Sequence, residues 1–281
     1  MDQFIFIKFF IIVLLLVLNA LFSGLWFYQR KQMMLVDAMS HSVLPVLVLT
    51  FLIVNNLSSV WFLILSIVFS IGIASLISRF SSFVSNRSQQ MIGVFFSGLF
   101  AIGIIMINVF AKSVHLDTDS VLFGALEFTV FENLILFGAS IGPVDIYKLA
   151  FLLLLNLLCF RFFQPLFSLF AFDKQMVSMK GFNAAIVDLL QLSLMTLNIL
   201  FSFEIVGVIL TLGLNVLPIM IARFHTFDVG DLLFKSAGFS FLILLPVSII
   251  GFRFSLSISA LFVFFLFLFL LMQIFLFKKT I

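Results

Sequence analysis

Within the stretch Asp37-Ala38-Met39-Ser40-His41-Ser42-Val43-Leu44-Pro45, a carboxylate and an imidazole stand four residues apart. Four residues is close to one helical turn, so on a helix Asp37 and His41 stack on a single face. Pro45 lies four beyond His41 and has no N–H to give, which frees the His41 carbonyl from its usual helical bond. The Ser40 hydroxyl is nearby. A carboxylate with a neutral imidazole suits Zn²⁺ or another divalent first-row cation. The competing reading is that Asp37 only faces interfacial water and His41 is an ordinary packing histidine. Two ligands are too few for a metal site. If two copies met on a two-fold axis along this face, the set would become two Asp and two His, a tetrahedral complement.

Two further groups carry polar or backbone-breaking residues. Glu204-Ile205-Val206-Gly207 continues through Gly213, Asn215 and Pro218 to Ala222-Arg223. Gly207 and Gly213 permit close helix approach, Asn215 can hydrogen-bond between helices, and Pro218 breaks a backbone bond. Asn215 and Pro218 thus belong either to a transport pathway or to helix packing and a kink. The second group, Phe172-Asp173-Lys174-Gln175-Met176-Val177-Ser178-Met179-Lys180-Gly181, has an N-cap-type Asp and a C-cap-type Gly around a short helical stretch. It reads as a short surface helix fit to dock a partner, or as a plain connection.

Catalytic alternatives fail on residue type. His41 is followed by Ser42 and His115 by Leu116, so there is no H-E-x-x-H. There is no G-x-x-x-x-G-K-[ST], so the chain has no P-loop for ATP. An intramembrane hydrolase would need a nucleophile and base at membrane depth, and no such pair stands out. The single Cys159 can form neither an internal disulfide nor a metal clip.

The elements that position these groups follow from composition. Of 281 residues, 64% are hydrophobic and 10% charged, where a soluble chain carries roughly 25% charged. Mean hydropathy is +1.34. Such a chain cannot cover a water-facing surface, so it is predicted to be an all-α polytopic membrane bundle. The 43 Phe are read as lipid-facing filler. Charge-free runs fall at residues 9–29, 38–78, 88–111, 149–160 with 162–172, 189–203, 205–222, 236–252 and 254–277. The turn-type residues Asn55, Asn56, Ser58 and Ser59 divide the 38–78 run, which predicts about nine spans, within a range of eight to ten. The first run, charge-free and without a clear small-x-small cleavage site, is expected to be a span more than a removed leader.

With nine spans, Arg30/Lys31, Arg79/Arg87, Lys174/Lys180, Arg223 and Lys278/Lys279 share one side, and Arg253 alone dissents. The positive-inside rule then places the N-terminus outside and the C-terminus in the cytoplasm. The net charge of +3 is therefore a topology signal and not a nucleic-acid footprint. Residues 112–148 concentrate the acids Asp117, Asp119, Glu127, Glu132 and Asp145. Residues 121–137 within them are expected to form a short interfacial or re-entrant helix on the outer side. No linker or repeat interrupts residues 1–281, which read as one membrane domain.

The Asp37–Pro45 stretch resembles the membrane subunit of zinc/manganese/iron ABC importers, whose pattern is (G)D-x-[LM]-[SA]-H-[AS]-x-L-P. Leu122-Phe123-Gly124 resembles that family's L-F-G-D element. Phe172-Asp173 through Gly181 resembles its F-D-x-x-x-A-x-x-x-G segment. Val206-Gly207 through Pro218 and Ala222-Arg223 resembles its V-G-x-x-L…P-A-x-x-A-R block. The likeness covers about residues 20 to 230. It implies a permease working as a homodimer, or with a sister permease, in the bacterial inner membrane. It further implies two cytoplasmic ATPase subunits, an extracytoplasmic metal-binding protein, and no resident cofactor. Asp37 and His41 would lie on the path of the metal, zinc first and manganese or iron next. Asp173, Lys174, Lys180 and Gly181 would face the ATPase. The rival importer is a permease for a metal chelate or vitamin. The sequence departs from the pattern at Ala125, where the family has Asp, at Val36 for Gly, and at Ile219, Met220 and Ile221 for small residues.

Overall fold

Backbone N–H and C=O groups find no water in a bilayer core, so an apolar run that crosses it must satisfy them within a helix. The computed structural model describes residues 3–56, 59–83, 88–110, 124, 126, 129, 133–136, 139–254 and 256–277, and these apolar runs are helical throughout. In chain order they are α1 (Gln3–Gln29), α2 (Met33–Val54), α3 (Val60–Phe83), α4 (Ser88–Phe110), α5 (Val144–Phe172), α6 (Lys174–Met179), α7 (Ala184–Arg223), α8 (Val229–Phe254) and α9 (Ile258–Phe277). The runs on either side of Arg161 join into one helix, α5. Asn55 closes α2 in the left-handed region at φ 52, its N–H on the Phe51 carbonyl, as the turn-type residues there predicted.

Eight of these helices are long and apolar enough to cross a membrane. One of the eight crosses twice. At 40 residues a straight α7 would be about 60 Å long, twice the roughly 30 Å of hydrocarbon. Gly207, at φ 71 and ψ −178, turns it back on itself. Asn198 Nδ2 therefore donates to Asn215 Oδ1 at 3.1 Å, across 17 residues that a straight helix would hold about 25 Å apart. Among the described residues, seven single passes and this hairpin make nine, within the predicted range of eight to ten.

Side-chain contacts among the described residues mark the two ends of the bundle. Arg30 reaches Asp188, Ser78 also reaches Asp188, and Tyr28 lies beside Arg223, so these residues share one end. Lys148 and Glu204 pair at the other. The prediction for residues 121–137 fares differently. Most of that stretch lies outside the described residues, but Asn133–Leu136 is a strand (β1) and not helix. It pairs antiparallel with β2 (Ala139–Pro143), with a bulge between Leu134 and Ile135. The aliphatic run Leu134-Ile135-Leu136 is followed by Gly138 and Gly142, turn-type residues that suit a short hairpin better than a helix.

Two packed clusters make the interior. One joins α1, α5, α8, α9 and both arms of α7. The other joins α2, α3 and α4 to Phe27 of α1 and to α7, mainly its first arm. Thus α7 belongs to both halves. Phenylalanine serves inside as well as outside, correcting the lipid-filler reading: Phe9, Phe27, Phe167, Phe170 and Phe262 are fully buried, while Phe162, Phe234 and Phe275 lie on the surface. A fully buried polar chain crosses the first cluster. Asn19 donates to the Leu149 carbonyl at 3.0 Å and accepts from Asn156 at 2.9 Å. Ser23 donates to the Asn19 carbonyl and lies 3.4 Å from Asn215 Oδ1.

Asn215→Leu leaves the Asn198 amide without its acceptor, and an interhelical bond of this kind contributes about 1–2 kcal/mol. The expected outcome is a lower thermal unfolding midpoint in detergent than wild type. Gly207→Val forces a branched side chain into positive φ, and its thermal midpoint should fall well below that of Gly72→Val, whose added Cβ meets open space. Equal midpoints for the two glycine variants would show that the hairpin does not depend on Gly207.

Candidate functional site

The α2 face predicted from spacing forms. Asp37 and His41 sit about 6 Å and about 12 Å along the helix from Met33, at 1.5 Å per residue, on the Arg30 end of the bundle. His41 Nε2 lies 3.5 Å from Asp37 Oδ1; the carboxylate side chain is 42% exposed and the imidazole 14%. The imidazole stands edge-on to Phe96 and Phe100 of α4, at centroid distances of 4.4 and 4.9 Å. Its Nδ1 is buried without a hydrogen-bond partner. Among the described residues no cluster of three His, Cys, Asp or Glu side chains assembles, so one chain offers a single carboxylate and a single imidazole here.

The neighbouring residues take structural positions. Ser40 is fully buried, and its hydroxyl donates to the Val36 carbonyl of its own helix at 3.0 Å. Pro45 packs against α4 at Gly103, where an added Cβ would come within 2.9 Å of the proline ring. That glycine lets α2 and α4 approach closely at the turn after His41. Asn215 donates to the Thr211 carbonyl at 2.7 Å and accepts from Asn198 and Ser23, and Pro218 is buried. For these two residues the packing reading is the one the geometry favours. Gly213 lets α9 approach, since a Cβ there would meet Val263 at 2.6 Å.

Two separated sequence blocks meet at the opposite end. Gly124, at φ +69, touches the backbone of Val206 and Gly207, and a Cβ on it would sit 2.3 Å from the Val206 carbonyl carbon. Only glycine fits so close to the bend of α7. Ala125 lies outside the described residues. Beside this contact, Lys148 Nζ reaches Glu204 at 3.1 Å and Asp145 at 3.5 Å.

The segment after α5 takes the predicted form. Asp173 caps α6, accepting the Gln175 N–H at 2.8 Å, and Gly181 follows in the left-handed region at φ +81. Val177 is buried in the first cluster, whereas Asp173, Lys174, Lys180 and Gly181 are exposed. Phe172 and Met179 project outward too, at 83% and 86% exposure. One turn of helix is thus anchored by a single valine with its remaining face open.

Sequence reasoning treated Arg30 as a topology marker and missed its partner. The Arg30 guanidinium is 3% exposed and pairs with Asp188 at 2.6 Å. It donates also to Gln191 at 2.8 Å and lies over the Phe27 and Phe170 rings. Lys174 of α6 sits over that same Phe170 at 5.2 Å. Burial pulls the Arg30 pKa below its ordinary value, and the Asp188 charge opposes that. The available signal was Asp188 itself, an acid at the end of a span where the flanking charges are basic. Removing Asp188 leaves a guanidinium that is 3% exposed without its counter-charge, a loss of about 3–5 kcal/mol. Asp188→Ala should therefore fail to accumulate or unfold far below wild type in detergent. The double replacement Arg30→Met with Asp188→Leu should recover much of that loss, as read by thermal unfolding of both proteins.

The comparisons bear on the whole chain. The manganese transport system membrane protein MntD of Bacillus subtilis (strain 168) is 31% identical over 237 residues, covering 81% of this chain and 80% of that protein. The zinc transport system membrane protein TroD of Treponema pallidum (strain Nichols) is 27% identical over 69% of this chain, which spans about half of that protein (53%). The solved structure of PsaBC from Streptococcus pneumoniae in complex with Fab shares the fold, with a TM-score of 0.76 at 22% identity over 97% of this chain and 91% of that one. The model of the ABC 3 transport family matches residues 1–277. This multi-pass helical chain, with no nucleotide-binding loop of its own, belongs to the ABC 3 transport family.

Proposed function

We propose that this chain is the membrane permease of an ATP-driven importer of divalent first-row metal ions, with Asp37 and His41 on the ion's path. The observation that carries the site assignment is the Asp37–His41 pair itself. Near the Arg30 end of the bundle a half-exposed carboxylate oxygen and a largely buried imidazole nitrogen converge at 3.5 Å. MntD carries manganese in its name and TroD zinc. Oxygen and nitrogen donors accept both ions, so manganese joins zinc as first cargo, with iron next. The chain contributes two ligands, and two copies, or one copy with a sister permease, supply the tetrahedral set.

Energy comes from separate cytoplasmic ATPase subunits docked on α6, whose open face carries Asp173, Lys174 and Lys180 next to Gly181. Lys174 touches Phe170 beneath Arg30, so a push on α6 is felt at the Arg30–Asp188 pair and hence along α7. An extracytoplasmic metal-binding protein delivers the ion at the end where Gly124 meets Val206. On this reading the chain sits in the bacterial inner membrane with its basic end in the cytoplasm. A chelate or vitamin permease shares the helical design but does not require a carboxylate–imidazole pair on α2.

Uptake of radioactive Mn²⁺ and Zn²⁺ by a permease-deficient strain carrying this gene and its cognate ATPase tests the reading. The Asp37→Asn, His41→Ala double variant should lose at least about tenfold in uptake, the scale of removing metal ligands from a site of few donors, at unchanged membrane abundance. Full uptake by that variant would remove the pair from the path. Absence of any metal-dependent uptake by the wild-type chain would end the importer reading.

A further inference from the structure

A neutral imidazole has one N–H and one lone pair, and each needs a partner when buried. Metal-binding histidines ordinarily place the second ring N–H on a carboxylate or carbonyl, which orients the ring and raises its basicity. Among the described residues His41 has no such acceptor. Its Nδ1 is buried and unpartnered, and the ring is wedged against two phenylalanines of α4. Phe96 and Phe100 lie nearly parallel, 9° apart at 6.4 Å, and meet the imidazole at interplanar angles of 74° and 83°.

Both tautomers leave the empty site incompletely satisfied. With the proton on Nε2, the ring addresses Asp37, but the buried Nδ1 lone pair faces no donor. With the proton on Nδ1, an N–H lies within an aromatic wedge, where ring faces accept weakly. The Nε2 lone pair then opposes the Asp37 oxygen at 3.5 Å. A cation between Nε2 and Oδ1 relieves that opposition. We infer that Phe96 and Phe100 are positioning residues for the proposed metal path: they aim His41 Nε2 at Asp37 while denying Nδ1 an acceptor, so the ligand holds a passing ion weakly enough to release it. The inference rests on the importer reading and concerns how tightly, not whether, the pair binds.

The test compares three replacements in the full chain with its cognate ATPase. Phe100→Gln and Phe96→Gln introduce an amide carbonyl able to accept from Nδ1–H. Phe96→Leu keeps the pocket apolar but removes the flat ring that fixes the imidazole. Phe95→Leu is the control, because Phe95 meets Phe80 instead. Radioactive Mn²⁺ uptake gives KM and Vmax, and equilibrium binding of Mn²⁺ to the purified chain in lipid nanodiscs gives Kd.

At least one Gln variant should bind Mn²⁺ about tenfold more tightly while its Vmax falls about tenfold, the range over which outer partners of a metal ligand act. Phe96→Leu should raise KM several-fold with Vmax little changed, and Phe95→Leu should match wild type. A merely structural role lowers abundance and Vmax without tightening Kd, so Gln variants that fail to tighten binding overturn the inference. Phe96→Leu behaving like Phe95→Leu does the same. If the wild-type chain neither binds nor imports Mn²⁺ or Zn²⁺, the importer reading falls and takes this inference with it. Wild-type import with indifferent phenylalanine variants removes the inference alone.

Discussion

A polar group inside a bilayer has no water to turn to, and the reversal of α7 depends on meeting that demand. Gly207 lets the backbone turn, but the two arms stay together because the Asn198 amide finds the Asn215 carbonyl oxygen at 3.1 Å. Asn215 in turn approaches Ser23 of α1, and through Ser23 and Asn19 the chain of hydrogen bonds reaches α5. Without partners each of these amides would stand in hydrocarbon at a cost of several kcal/mol. Satisfied, they tie α1, α5 and both arms of α7 into one frame. The close approach of α1 to the second arm follows, since Gly24 sits where a Cβ would strike the Asn215 carbonyl at 2.5 Å.

That frame divides the molecule's tasks. The α1–α5–α7 spine is tied by a buried chain of amide and hydroxyl hydrogen bonds, whereas α2, α3 and α4 pack on the first arm of α7 mainly through aliphatic and aromatic side chains. The half-exposed Asp37 rides on the second group, as does His41 between its phenylalanines. At the end they share, the Arg30–Asp188 pair couples α1 to α7, and Phe170 carries Lys174 of α6 against it. A carrier needs one part that keeps its shape and another that repacks as ligand passes. Apolar contacts between α2 and α4, with Gly103 beneath Pro45, can slide at less cost than a network of buried amides can break.

Much of this was legible from residue types. Charge-free runs marked the nine crossings because length and apolarity alone decide what a bilayer accepts. Asp37 and His41 shared a face because helical spacing is local, and Asp173 and Gly181 bracketed a helix because caps are local too. Residues 133–136 went the other way: a weakly polar stretch was read as helix, and pairing with residues 139–143 made it a strand. Pairing is a property of two segments, so a window over one could not show it. The partners of Asn215 escaped for the same reason, lying 192 and 17 residues away.

The sequence by itself determined the class of molecule, its long apolar helical runs, and the register of the α2 pair. All of these depend on composition or on spacing within one helix. Tertiary structure alone decided that the Arg30 charge is spent on Asp188, that Gly124 closes on the α7 bend, and that Asn215 is a tie between helices. It also decided that His41 meets two phenylalanine rings and that, among the described residues, its Nδ1 has no partner. Each of those depends on groups far apart in the chain being brought within a few ångströms. Packing and the demand that buried polar atoms be paired select such contacts, and no single segment encodes them.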